Sequence, residues 1–239
     1  MPSIDQDLPL TLGLLGGMSW ESTVPYYQLI NRGVAARLGA LHSARIVLHS
    51  VDFHEIERMQ SDGDWDAAGA LLADVARGLE AAGARALLIC TNTMHKVAVQ
   101  VSEAVSIPLL HIADCTAQAL VSDGVQRVGL LGTRFTMEQD FYKGRLSGEY
   151  GLDVIVPPAQ DRDIVHAVIY NDLCQGRIPD QGRAEYVRII SEMQAAGAQA
   201  VILGCTEIGL LVKQDDVDLP LYDTTALHAQ AAVNFAVGD

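Results

Sequence analysis

At 239 residues, with 49% hydrophobic and 19% charged side chains, the chain has the composition of a globular protein with an ample core, not of a disordered one. That length suits one large domain or two of ordinary size. Sixteen basic against 30 acidic side chains leave a net charge of −14, which opposes nucleic acid or anionic lipid as a partner and favours solubility.

Residues 1–9 read as an irregular start, with no basic stretch ahead of an apolar one. The first apolar run, Leu8 to Leu15, is too short to span a bilayer, so a cytoplasmic protein with no membrane partner is expected. Leu10 to Gly17 reads as a strand entering a glycine turn, followed by a helix over 21–38 with Ser19 or Ser22 as its cap. The glycines at 13, 16 and 17 do not form Gly-x-Gly-x-x-Gly, and no acidic residue follows in the matching place, which argues against a dinucleotide loop. Bare backbone there would still let a small ligand approach. Arg45 to Val51 is a second strand, and the polar run Asp52 to Gln60 suits a solvated turn or helix face, or the mouth of a pocket. A helix over 66–82 follows, with Leu71, Leu72, Val75 and Leu79 on one face, ending at Gly83. The strand 85–90 leads into Thr91-Asn92-Thr93-Met94-His95-Lys96, which opens the next helix, and Ile107 to Ile112 is a further strand.

From there the pattern restarts. Residues 81–93 (AAGARALLICTNT) match residues 195–207 (AAGAQAVILGCTE) at an offset of 114, which sets Gly83 on Gly197, Thr91 on Cys205 and Asn92 on Thr206. Val128 to Thr133 repeats Leu12 to Gly17 at an offset of 116, and Leu219 to Thr224 echoes Ile107 to Ile112 at 112. The chain therefore reads as a duplication: an α/β fold of two similar parallel-sheet domains, residues 1–118 and 119–224, with a last helix in 225–239 packing back onto the first. Ligands of open parallel sheets gather beyond the carboxyl ends of the strands, so the active site is expected in the cleft between the halves, with Thr91 and Cys205 on opposite walls.

Cys205, in Gly-Cys-Thr-Glu, follows an apolar strand and precedes a helix or turn. A thiol pKa of about 8.5 falls at a helix N-terminus, which would make Cys205 a thiolate base or nucleophile. Cys90 belongs to the apolar strand, and Cys115 and Cys174 have no companion residues, so these three read as structural. With no Cys-x-x-Cys pair, a reduced, intracellular protein is expected. Asn92, Thr93 and Thr206 supply donors suited to a carboxylate, and Thr133, Arg134 and Thr136 could hold a second anionic group. Cys90, His95 and His111 lack zinc spacing, and no metal is expected.

On these residues the chain resembles the aspartate/glutamate racemase family, the racemases that need no pyridoxal phosphate. The resemblance rests on Cys90 to His95 and Val201 to Ile208, extended by Leu14 to Thr23, Leu48 to Gln60 and Leu131 to Glu138. Within the family the chain looks most like the bacterial broad-specificity and L-aspartate/L-glutamate-specific branch. The resemblance implies two α/β domains, a homodimer, an acidic amino acid as substrate, and no cofactor. It further implies two cysteines, one on each face of the substrate α-carbon. The second is Cys205, but the residue directly before Asn92 is Thr91, where the family has its first cysteine. Because a strand alternates faces, Cys90 would point away from the cleft if Thr91 points into it. The resulting expectation is one-sided chemistry, with Cys205 as thiolate base and Thr91 as weak acid. Asn92, Thr93 and Thr206 would then hold the α-carboxylate, and Met18, Gln60, Thr133 and Arg134 would line the rest of the pocket. Two alternatives stay open: a single-cysteine carbanion enzyme of the same superfamily (decarboxylase or isomerase), and a non-catalytic amino-acid binder.

Overall fold

Residues 8–238 are described in a computed structural model, so of the irregular start only the end falls inside it. The chain forms two compact units. The first takes residues up to Cys90, Val97–His111 and the chain from His228 onward; the second takes Thr91–Lys96 and Ile112–Leu227.

The first unit is built on three parallel strands, β1 (Leu12–Gly16), β2 (Ile46–Ser50) and β3 (Ala86–Ile89), in the order β2-β1-β3. Strand β1 is buried along its whole length, as a central strand of an apolar parallel sheet must be. One face carries Leu12, Leu14, Ala86, Leu88 and Cys90. It packs on Tyr26, Ile30 and Val34 of α1 (Trp20–Leu38) and on Ala229, Ala232 and Val233 of α11 (Thr224–Val237). Each such leucine contributes about 1.5–3 kcal/mol by leaving water. On the other face, a Cβ at Gly13 would meet Leu79 and Ala84 at 3.3 and 2.9 Å, which places α3 (Trp65–Ala81) there. The polar run after β2 is a helix, α2 (Phe53–Asp62), capped by Asp52 and stopped by Gly63 in the left-handed region.

The stretch Ile107 to Ile112 is not a strand. It makes a single parallel bridge, Leu87 with Leu109, and α5 (Ile112–Ser122) starts at its end. Pro108 has no N–H to extend a ladder, so only its carbonyl and the Leu110 amide bond to Leu87.

The second unit repeats the arrangement with four parallel strands. They are β4 (Arg127–Gly132), β5 (Asp153–Ile155), β6 (Ala200–Gly204) and β7 (Leu221–Asp223), in the order β5-β4-β6-β7. Val128, Leu130, Ala200 and Ile202 face α5 and α7 (Asp140–Tyr150). Leu131, Val201 and Leu203 face α8 (Ala159–Asn171) and α9 (Asp180–Ala195). Gly129 lets the methyl group of Met193 approach β4; a Cβ there would lie 2.6 Å from it. Gly83 and Gly197, the matched glycines of the repeat, close α3 and α9 at φ of 97° and 94°.

Candidate active site

The carboxyl end of the second sheet carries the chemistry. Gly132 of β4 pairs with Gly204 of β6, and the residues that follow them are Thr133 and Cys205. Neither glycine position tolerates a side chain. A Cβ on Gly132 would lie 2.7 Å from the Gly204 carbonyl, and one on Gly204 would lie 2.7 Å from the Leu131 carbonyl.

Cys205 is 8% exposed, and its thiol donates to Glu207 Oε2 at 2.9 Å. Glu207, 2% exposed, accepts at the same oxygen from Thr206 Oγ1 at 2.8 Å and at Oε1 from the Cys174 thiol at 3.8 Å. Cys174 lies in a short 3-10 turn, Leu173–Gln175, and so does have a companion, contrary to the sequence expectation. The expected lowered pKa of Cys205 is also corrected. Burial raises it first, and the negative charge of Glu207 raises it further, to well above an ordinary thiol. The Glu207 backbone N–H lowers it but does not offset those effects, and the helix that follows, α10 (Ile208–Leu211), has only four residues. Cys205 here is a neutral thiol.

Thr91–Lys96 lies with the second unit and is fastened to this strand end at two points. Thr93 Oγ1 is 2.9 Å from Thr133 Oγ1, which in turn meets Thr136 Oγ1 and caps the short helix α6 (Arg134–Glu138). Asn92 Nδ2 donates to Thr224 Oγ1 at 3.0 Å, and Thr224 donates to the Leu203 carbonyl at 2.8 Å. Thr224 has one proton, given to Leu203, so it accepts from Asn92 and fixes which way that amide points. Cys205, at the end of β6, thus lies on the strand between the two anchor points on β4 and beyond β7. Asn92 Oδ1 is buried without a hydrogen-bond partner among the described residues. Thr91 is 8% exposed. Its carbonyl accepts from His95 Nδ1 at 2.8 Å, while His95 Nε2 accepts from the Ile112 amide at 3.2 Å. Donating at one nitrogen and accepting at the other defines the neutral imidazole with its proton on Nδ1.

The side-chain donors expected to cradle a carboxylate are therefore engaged within the protein: Asn92 with Thr224, Thr93 with Thr133, Thr206 with Glu207. Arg134 is half-exposed and paired with Asp163 at 2.7 Å, so it does not converge with these residues. Met18 and Gln60, both buried, belong to the first unit. Cys90 lies in the core of the first unit, and burial raises its pKa. Glu207, Cys174, His95 and Thr224 have contacts at the site that sequence reasoning assigned no role. Glu207 alone left a trace, as a carboxylate directly ahead of the apolar run Ile208 to Val212. No group of three or more His, Cys, Asp or Glu among the described residues is arranged to hold a metal ion.

Two parallel α/β sheets, with a buried thiol–carboxylate pair at a strand end, define an α/β enzyme scaffold with acid–base groups at the usual place for ligands. The chain matches the Asp/Glu/hydantoin racemase family over residues 15–232 and belongs to that family, whose enzymes are isomerases. A Yersinia pestis protein proposed to be an Asp/Glu racemase is 53% identical, with 95% of this chain and 98% of that one covered and a TM-score of 0.88. An aspartate racemase homologue from Pyrococcus horikoshii OT3 is 31% identical, with 94% and 97% covered and a TM-score of 0.80. The broad-specificity amino-acid racemase RacX of Bacillus subtilis is 23% identical over 227 residues, spanning 93% of this chain and 96% of its own. No helix among the described residues is long and apolar enough to cross a membrane.

Proposed function

We propose that the chain racemises an acidic amino acid, aspartate or glutamate, by removing and returning the α-proton without a cofactor. The observation that carries this is the Thr93–Thr133 contact, which holds the Thr91 segment against the strand end from which Cys205 emerges. In this reading Cys205 acts on one face of the α-carbon and the Thr91 hydroxyl on the other. A hydroxyl is too weak an acid to cycle through its alkoxide near neutral pH, so Thr91 passes a proton from solvent. The enantiomer handled by Cys205 is then the better substrate, and by the family resemblance that is the L form. Thr93 and Thr206 bind the α-carboxylate only by exchanging their present partners, Thr133 and Glu207. Asn92, whose acceptor Oδ1 has no partner among the described residues, takes the α-ammonium instead. Arg134 reaches a side-chain carboxylate only by exchanging its partner Asp163. Thr133 completes the part of the proposed pocket that the second unit carries. A homodimer in the cytoplasm belongs to the same reading, and light scattering on the purified protein tests the dimer.

Incubation in D2O with each enantiomer of aspartate and glutamate, followed by NMR, tests the function. Loss of the α-proton signal from the L form is expected, with D form accumulating. Release of carbon dioxide from a malonate-type acid, or binding with no exchange, would sink the racemase reading.

A further inference from the structure

Among the groups gathered at the strand end, Glu207 is a carboxylate that the proposed reaction leaves unused. It is a buried carboxylate with a cysteine thiol on each oxygen: Cys205 on Oε2 at 2.9 Å and Cys174 on Oε1 at 3.8 Å. Taking Cys205 as the reacting thiol, which rests on the function proposed above, the geometry points to Glu207 as the acceptor of its proton, so that Cys205 relays a proton and never stands as a free thiolate. The Cys205 S–H bond points at Oε2, which leaves a sulfur lone pair for the substrate. As the substrate Cα–H bond breaks and a new S–H bond forms, the original S–H bond breaks and an O–H bond forms on Glu207. The electron pair left on Cα moves into the α-carboxylate. Glu207 then releases its proton to solvent, which resupplies the proton delivered on the opposite face.

The physical case is one of charge. Ionising a lone buried thiol to bulk water creates a charge where solvation is poor. The thiol–carboxylate pair already carries one negative charge, and the relay moves it from Glu207 to the substrate without adding a second. Cys174 acts as a positioning residue: its thiol on Oε1 holds the carboxylate so that Oε2 meets Cys205. The titratable groups around Glu207 are Cys205 at the end of β6, Cys174 in the 3-10 turn and Tyr186 on α9. The Tyr186 hydroxyl donates to the Val165 carbonyl, and its own ionisation is opposed by burial and by the charges of this cluster.

The relay makes opposed predictions for Glu207→Gln. Removing the carboxylate charge eases ionisation of Cys205, so alkylation of that thiol by iodoacetamide at pH 8, followed by mass spectrometry, speeds up severalfold or more. Turnover, followed as α-proton exchange of L-glutamate and L-aspartate, falls at least 100-fold. Glu207→Asp, which keeps the charge, exchanges faster than Glu207→Gln. A thiolate mechanism predicts the reverse, since easier ionisation would then raise turnover; Glu207→Gln as fast as wild type overturns the relay. Should that variant not fold, the wild-type pH profile decides. Under the relay the thiol never ionises to solvent, so exchange stays flat between pH 6.5 and 8.5. A thiolate base gives a tenfold rise per pH unit over the same range, which overturns the proposal. If wild type exchanges no α-proton at all, the racemase reading fails and takes the relay with it. A wild type that exchanges, beside an unslowed Glu207→Gln, removes the relay alone.

Discussion

Thr93 Oγ1 and Thr133 Oγ1, 40 residues apart in the chain, lie 2.9 Å from one another, both buried. Thr93 stands two residues after Thr91 and Thr133 directly after the last residue of β4, so this one contact sets the proposed acid against the sheet that carries Cys205. A double-mutant cycle with Thr93→Val and Thr133→Val should give a coupling of about 0.5–1.5 kcal/mol in urea unfolding. Each single variant should also slow α-proton exchange more than it lowers stability would explain. Additive energies within about 0.3 kcal/mol would show that the hydroxyls do not interact.

Cys205→Ser replaces the thiol by a hydroxyl, a far weaker acid that passes a proton much more slowly near neutral pH. Exchange of L-glutamate should fall by 1,000-fold or more, while binding, measured by calorimetry, changes less than about tenfold. Full exchange in that variant would take Cys205 out of the mechanism.

Position 91 gives the converse test. Thr91→Cys supplies a group whose pKa lies far nearer the working pH, so exchange of the poorer enantiomer should rise by tenfold or more and narrow the gap between D and L forms. Cys90→Ala should leave exchange within about twofold and cost about 1 kcal/mol of stability, because Cys90 fills the core beside Leu12, Leu88 and α11. Loss of activity in Cys90→Ala, with none in Thr91→Ala, would exchange the roles of the two residues.

Alkaline pH should weaken the fold. Burial raises the pKa of Cys90, Cys174 and Cys205 above the usual thiol value, and that of Cys115 is pushed up to about 11. Unfolded thiols lose their protons above about pH 8.5 while these folded ones keep them, so the native state binds more protons and unfolding free energy falls as pH rises. The stabilisation is fully present below pH 8 and is lost progressively above it. Urea midpoints at pH 7.5, 9 and 10 measure this; an unchanged midpoint would mean the thiols are solvated.

The parallel α/β class was legible because buried parallel strands read as short apolar runs, and both matched glycines stop helices as expected. Helix 66–82 and strand 85–90 agree with α3 and β3 to within one residue at each end. Ile107 to Ile112 misled, since this apolar run around a proline has strand composition but makes only a single bridge, to Leu87. At the site, the position of Cys205 at the end of a buried strand was legible, but its ionisation was not. The expected thiolate came from the helix that follows, whereas burial and Glu207 decide the matter, and both depend on packing that no local window contains. Cys174 is 33 residues from Glu207 in the chain, and His95 is 17 from Ile112; neither spacing has a motif to announce it.

Gly132 and Gly204 bear no functional group, yet each has a neighbouring carbonyl where its Cβ would go, 2.7 Å away in both cases. Gly204→Ala should push β6 from β4, cost about 1–3 kcal/mol and displace Cys205 enough to stop exchange. In a saturation scan read out by activity, both positions should therefore tolerate as few residues as Cys205 itself. Their intolerance would be steric, and a variant there that still folds should keep an intact thiol, still alkylated at Cys205, that no longer meets its substrate.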